Sequence, residues 1–164
     1  IEAAFLAGGG TVELQGGTFI ENLILRNKVS LKGAGPMFTR LIGATASEHV
    51  IRVEDDQSEV PTVQEIAYLN ISGGNDGVNV GRANIKVHHN VIHDCNGNGM
   101  FAGESSFWFE AYNNTVVRNG FNGIKSDTGS SHIRNNICVE NGILAAGFGI
   151  STTASTTAGE LFSR

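Results

Sequence analysis

This chain is poor in charge and almost free of proline. Charged residues fill 16% of its 164 positions, against roughly 25% in an average globular domain. The net charge is −5 and no basic cluster exceeds two residues. That argues against a nucleic-acid partner, because phosphate neutralisation needs clustered Lys and Arg. No apolar run approaches the ~18–20 residues of a membrane-spanning helix, so no membrane association is expected. No Met and no signal-like segment opens the chain, which leaves its destination undecided by its start. Two cysteines and two prolines complete the scarce residues.

Glycine and asparagine are abundant instead. The 22 glycines run at nearly twice the usual share of about 7%. Fourteen of the 16 asparagines lie between Asn70 and Asn141. Both residues tolerate the left-handed backbone of tight turns, and a chain that turns often needs them.

The asparagines belong to a repeat that returns about every 22 residues. One copy reads Val87-His88-His89-Asn90-Val91-Ile92, leading to Gly99-Met100. The next is Ala111-Tyr112-Asn113-Asn114-Thr115-Val116, leading to Gly123-Ile124, and the third runs from Ile133 through Asn136 and Cys138 to Gly149-Ile150. A degenerate copy starts at Ile66. A fixed short period with strand-like alternation predicts an all-β solenoid, a single domain over 1–164 with roughly seven coils. Val87, Ala111 and Ile133 should point inward and His88, Tyr112 and Arg134 outward. Asn90, Asn114 and Asn136 should stack as an amide ladder, with Leu69 standing where it begins. Cys138 shares the inward column of Ile92 and Val116, and Cys95 lies two coils away. At ~4.8 Å per coil that separates the two thiols by about 9.6 Å, beyond the about 7 Å a disulfide spans, so both should be free.

Ile1 to Ala7 fits a short capping helix stopped by Gly8-Gly9-Gly10. Strands are expected at Thr11–Leu14, Asn22–Leu25, Val29–Lys32 and Val50–Val53. An acidic loop runs from Glu54 to Thr62, and the stretch 151–164 carries no repeat consensus.

The segment Gly10-Thr11-Val12-Glu13-Leu14-Gln15-Gly16-Gly17-Thr18-Phe19, with Val29-Ser30-Leu31-Lys32-Gly33-Ala34-Gly35 and the later Asn-Asn copies, resembles the right-handed parallel β-helix proteins of the pectate lyase-like superfamily. The resemblance covers nearly the whole chain. It implies three sheets per coil: a first strand opened by Gly-Met or Gly-Ile, a second before the asparagine ladder, and a third after it. It also implies a carbohydrate-active or carbohydrate-binding protein at an extracellular or cell-surface location. In relatives, sugar chains lie along the outer face of the first sheet. Carried over here, that face presents Arg52, Asn79, Phe101, Lys125 and Ser151, with Glu54, Gly81, Gly103, Asp127 and Thr153 two residues on. Flanking loops add Asp55, Asp56, Arg82 and Glu104.

Uronan lyases and epimerases abstract a proton beside a carboxylate and neutralise the sugar acid with Arg or calcium. Lys125 would be the base, Arg52 the carboxylate clamp, and Asp127 the group that orients Lys125. Phe101 offers an apolar face for a sugar ring, with Asn79, Arg82 and Glu104 beside it. Calcium is the cofactor such chemistry admits, and Glu54, Asp55 and Asp56 are its candidate ligands, although their spacing matches no known loop motif. Asp55-Asp56 looks like the adjacent Asp pair of polygalacturonases, but that group's Asn-Thr-Asp, Gly-His-Gly and Arg-Ile-Lys motifs are absent, as is the Asp-Pro-His-Asp run of alginate epimerases. Lys125 and Asp127 equally suit a solvated wall, so a non-catalytic structural module stands as the competing class. Uncovered solenoid ends offer a third role, self-association. His88 and His89 are adjacent on a strand and should face opposite ways, which keeps them from sharing a metal.

Overall fold

The computed structural model describes residues 1–54, 62–103, 106, 108–152 and, as backbone alone, 162–163. Three parallel sheets wind about one axis. The first sheet holds β3 (Leu23–Leu25), β6 (Ile51–Val53), β9 (Val78–Val80), β12 (Met100–Ala102), β15 (Ile124–Ser126) and β18 (Ile150–Thr152). The second holds β1 (Gly10–Leu14), β4 (Val29–Gly33), β7 (Val63–Ala67), β10 (Asn84–His88), β13 (Trp108–Tyr112) and β16 (Ser131–Arg134). The third holds β2 (Gly17–Ile20), β5 (Thr39–Ile42), β8 (Asn70–Ser72), β11 (Val91–His93), β14 (Thr115–Val117), β17 (Ile137–Val139) and β19 (Phe162–Ser163). The fold is a parallel β-helix.

It has about six coils where length divided by period suggests seven. One coil is long: Leu31 pairs with Ile66, 35 residues on, whereas Ala111 pairs with Ile133 after 22. The extra residues are spread round that coil: Leu31 to Leu41 takes ten where Ala111 to Val116 takes five, and the rest lie between Leu41 and Ile66. The helix α1 (Glu2–Leu6) sits at the amino-terminal end, and Ile1, Ala4 and Phe5 pack on the core. Strands β2 and β5 are additional to those expected. Gly16-Gly17 reads as a turn in the sequence, yet the chain is already extended at Gly17.

The register stacks like on like. Leu31, Ile66, Val87, Ala111 and Ile133 form one inward column. Leu41, Ile71, Ile92, Val116 and Cys138 form another, and all ten residues are buried. Each buried Leu or Ile contributes about 1.5–3 kcal/mol, so these columns are the main source of stability. Both cysteines are free and buried, and burial pushes each thiol up to about 12.

The asparagine ladder is present. Asn90 Nδ2 donates to Asn114 Oδ1 at 3.2 Å, and Asn114 Nδ2 donates to Asn136 Oδ1 at 3.0 Å. The Leu69 amide closes the ladder on Asn90 Oδ1 at 3.0 Å. Two further ladders occupy other turns. Asn119 Nδ2 donates to Asn141 Oδ1 at 2.9 Å. Asn122 Nδ2 donates to Asn98 Oδ1 at 2.9 Å, and Asn98 Nδ2 to Asp76 Oδ1 at 3.1 Å.

The outer wall of the second sheet corrects one expectation. His88 does stack on Tyr112, with ring centroids 4.7 Å apart. His89, however, does not face away from His88. Strand β10 ends at His88, and His89 adopts a left-handed φ of 55°, which swings its ring round until the two Nδ1 atoms lie 2.8 Å apart. His88 Nε2 meets Glu65 Oε1 at 2.5 Å, and Lys32 Nζ meets Glu65 Oε2 at 2.6 Å. Burial holds the His88 pKa below its ordinary 6.5, against the pull of Glu65. Burial would raise the Glu65 carboxyl, but hydrogen bonds from Lys32 and His88 outweigh it and hold the group below 4.5.

Both shifts act in one direction. Unfolded His binds its proton near pH 6.5 while folded His88 resists, so stability falls as the pH drops below 6.5. Unfolded Glu takes its proton near pH 4.5 while folded Glu65 remains ionised, so a second fall follows below 4.5. Urea midpoints measured from pH 7.5 to 4 should therefore decline in acid, and His88→Gln should flatten the upper part of the curve. An unchanged slope in that variant would remove His88 from the account.

Candidate functional site

The outward column of the first sheet is in register: Ile24, Arg52, Asn79, Phe101, Lys125 and Ser151 face one another across successive strands. Strand alternation puts them on the outside because Val53, Val80 and Ala102 beside them are buried. Arg52 and Lys125 thus share a face, but three coils separate their backbones by about 14 Å. One sugar ring cannot bridge that distance, so the two belong to different positions along a bound chain.

Around Lys125 the side chains converge. Its Nζ lies 3.1 Å from Asp127 Oδ2 and 5.2 Å from the centre of the Phe101 ring. The structure thus brings Asp127 and Lys125 together as an ion pair. Phe101 is half-buried, with Gly103 close against its ring edge. Asn79 is held elsewhere: its Nδ2 donates to Asp76 Oδ2 at 2.9 Å. Arg82 is half-buried and engaged.

Of the proposed calcium ligands, only Glu54 is among the described residues. Glu54 binds Arg26, with Oε1 and Nη1 2.8 Å apart. Asp55, Asp56 and Glu104 lie outside the described residues. Among the described residues no three acidic, His or Cys side chains converge as metal ligands would. No step is routed through a calcium ion.

A stronger group lies beside Arg52, on residues that the sequence pattern did not single out. His49 Nδ1 is 3.1 Å from Asp76 Oδ2. The Asp76 amide also approaches His49 Nδ1, at 3.4 Å, which needs the opposite tautomer. The shorter, charge-assisted contact prevails, so Nδ1 carries the hydrogen and Nε2 keeps a lone pair. Asp76 is 96% buried, being 4% exposed. Its Oδ1 accepts from the Asn98 amide at 2.7 Å and from Asn98 Nδ2 at 3.1 Å.

The third ladder explains why Asp76 is so firmly placed. Its amides donate from Asn122 through Asn98 towards the amino terminus and end on the carboxylate. The first ladder runs the other way. Aligned amides polarise one another, and here every donor points at Asp76. His49 is in turn held from behind, since Asn22 Nδ2 donates to its carbonyl at 2.9 Å. The sequence signal was present as Asp76-Gly77, Asn98-Gly99 and Asn122-Gly123, with Asp at one rung of an Asn-Gly series.

His49, Arg52, Glu48, Asn22 and Ile24 line one cleft of about 130 Å³. A second depression of about 360 Å³ shares Asn22, Leu23 and Ile24 and adds Glu2, Glu21 and Arg26. Arg52 is exposed and makes no ion pair among the described residues. An oriented imidazole, an available guanidinium and a carboxylate in one cleft can move a proton and hold an anion.

No family model matches this chain, and no curated protein matches it. Solved structures do, among them the two that follow. One is the A-module of the mannuronan C-5 epimerase AlgE4 from Azotobacter vinelandii, with a TM-score of 0.60 and 18% identity over 94% of this chain and 53% of that one. The other is the catalytic unit of a thermostable GH87 alpha-1,3-glucanase from Streptomyces thermodiastaticus, with a TM-score of 0.54 and 18% identity over 91% of this chain and 38% of that one. The chain thus spans about half the length of the first and less of the second. At this identity the likeness is one of architecture: the chain has the parallel β-helix fold that both structures carry.

Proposed function

We propose that the outer face of the first sheet binds an acidic polysaccharide, and that His49 removes the proton from the sugar carbon next to the carboxylate. The observation that carries this is the cleft that His49 and Arg52 share, with buried Asp76 paired to His49. The names of both structural neighbours, an epimerase of mannuronan and a glucanase, support a saccharide as the ligand.

In this reading the C–H bond breaks, its proton passes to His49 Nε2, and its electron pair spreads into the sugar carboxylate. Arg52 balances the charge that builds there. Asp76 stabilises the imidazolium that forms. The intermediate then takes a proton from water on its opposite face, inverting the carbon, or expels the glycosidic oxygen on the neighbouring carbon, which takes a proton from water as it leaves and gives an unsaturated sugar. Phe101, Lys125 and Asp127, two to three coils on, bind the chain further along. A second reading, a binding module without turnover, is favoured by the cleft's size: 130 Å³ is small beside the roughly 300–1,000 Å³ of usual ligand pockets.

A panel of polymannuronate, polyguluronate and polygalacturonate tests this, with ultraviolet absorbance reading elimination and proton NMR reading inversion. His49→Ala should cost roughly 100-fold or more in rate, while Lys125→Ala keeps turnover and weakens binding. Loss of turnover in Lys125→Ala alone would return the base to Lys125. Binding without turnover selects the module, and no binding at all overturns the reading.

A further inference from the structure

A separate cavity of about 280 Å³ opens on the second sheet, at the corner where that sheet turns towards the third. Glu13, Gln15, Lys32 and Tyr68 supply its side chains, with Gly33 and Ala34 forming part of the wall. Glu13 and Lys32 are neighbours across β1 and β4, and the next residue in that column, Ala67, is fully buried, so Tyr68 beside it closes the cavity on that side.

Tyr68 occupies an unusual backbone. Four residues take the same left-handed turn position on successive coils: Tyr68 (φ 61°), His89 (55°), Asn113 (54°) and Asn135 (53°). Asparagine suits that conformation, whereas a bulky ring does not. Strain of this kind points to a use for the ring. The Tyr68 ring is 39% exposed. It is also fixed: His89 stacks on it at 5.2 Å, and His88 meets it edge-on at 5.7 Å. His89 is held by His88 and by Asn113 Nδ2 at 3.2 Å. Lys32 is held by Glu65. The aromatic surface and the ammonium are both in place before any ligand arrives, which lowers the ordering cost of binding.

The charges choose the ligand. Glu65 already balances Lys32, and Glu13 adds a negative charge, so the cavity disfavours anions. Carboxylate, amide and ammonium together offer acceptors and donors to neighbouring hydroxyls, and an aromatic surface suits the C–H face of a pyranose. We propose that this corner binds one or two residues of an uncharged pyranose chain, on a different sheet from the acidic groove and independently of it.

Saturation-transfer NMR and calorimetry on the whole chain, with cello-, malto- and manno-oligosaccharides at millimolar concentration, provide the test. Binding is expected, with the Tyr68 and His89 ring signals shifting. Tyr68→Asn should weaken binding by about tenfold or more while keeping or raising the unfolding temperature, because Asn fits this turn. Glu13→Gln, an exposed change that leaves the fold alone, should weaken binding several-fold. His49→Ala should leave it unchanged, which separates this site from the first-sheet reading. The proposal fails if no neutral oligosaccharide binds, if both variants bind like the parent, or if the shifts map to the first sheet.

Discussion

Asn114→Ala should lower the unfolding free energy by about 4 kcal/mol. Asn114 is 2% exposed and serves five bonds at once. Its Nδ2 donates to Val87 O at 2.9 Å, Tyr112 O at 3.1 Å and Asn136 Oδ1 at 3.0 Å. Its Oδ1 accepts from the Asn90 amide at 3.1 Å and from Asn90 Nδ2 at 3.2 Å. Alanine removes none of the burial and all of the partners. Each buried group left without a bond costs about 1–3 kcal/mol, and the Asn90 amide, which donates to Asn114 Oδ1, is the most exposed to that loss, whereas Asn136 Oδ1 keeps the Asn114 backbone amide at 3.0 Å. The urea midpoint reads the effect, provided the slope is unchanged. Asn113→Gly, next door but exposed and left-handed, should be nearly silent. A fall below about 1 kcal/mol in Asn114→Ala would mean the ladder is ornament on a fold held by its apolar columns alone.

Gly99→Ala should destabilise by about 3 kcal/mol, although alanine is the smallest possible addition. A methyl group there would strike the Val116 side chain in the core, sit 2.7 Å from the Gly123 carbonyl of the next coil, and lie 2.9 Å from Asn119 Nδ2 in the second ladder. Two of these three cannot retreat, because one is backbone and the other is hydrogen-bonded. Gly129→Ala is the matched control: nothing lies within 4 Å of its new methyl group, so it should be neutral or gain about 0.4–1 kcal/mol through the unfolded chain. Equal thermal shifts in the two variants would show that the coils can slide to make room.

The repeat carried most of the architecture. The columns of Val87, Ala111 and Ile133 and of Asn90, Asn114 and Asn136 could be read because like residues recur at a fixed offset. Coil number was less legible, since extra residues spread between Leu31 and Ile66 break the period. The site was legible only in part. Register placed Arg52, Phe101 and Lys125 on one face, but register does not say how long side chains lean. It missed His49, which sits in a turn outside the strand pattern and acquires its meaning only when Asp76, 27 residues later, comes to lie beside it. It misread His89 for the same reason: alternation holds along a strand and stops where φ changes sign.

Along the axis each strand touches the strands one coil before and one coil after it, and little beyond. Such a molecule holds together as a row of links, not as a single knot, and a row loosens from its ends. His49 belongs to one link and Asp76 to the next. Under the proposed function the His49–Asp76 pair is a property of the joint between them: neither coil owns it, and parting those two coils would switch the proposed chemistry off before the protein as a whole has unfolded.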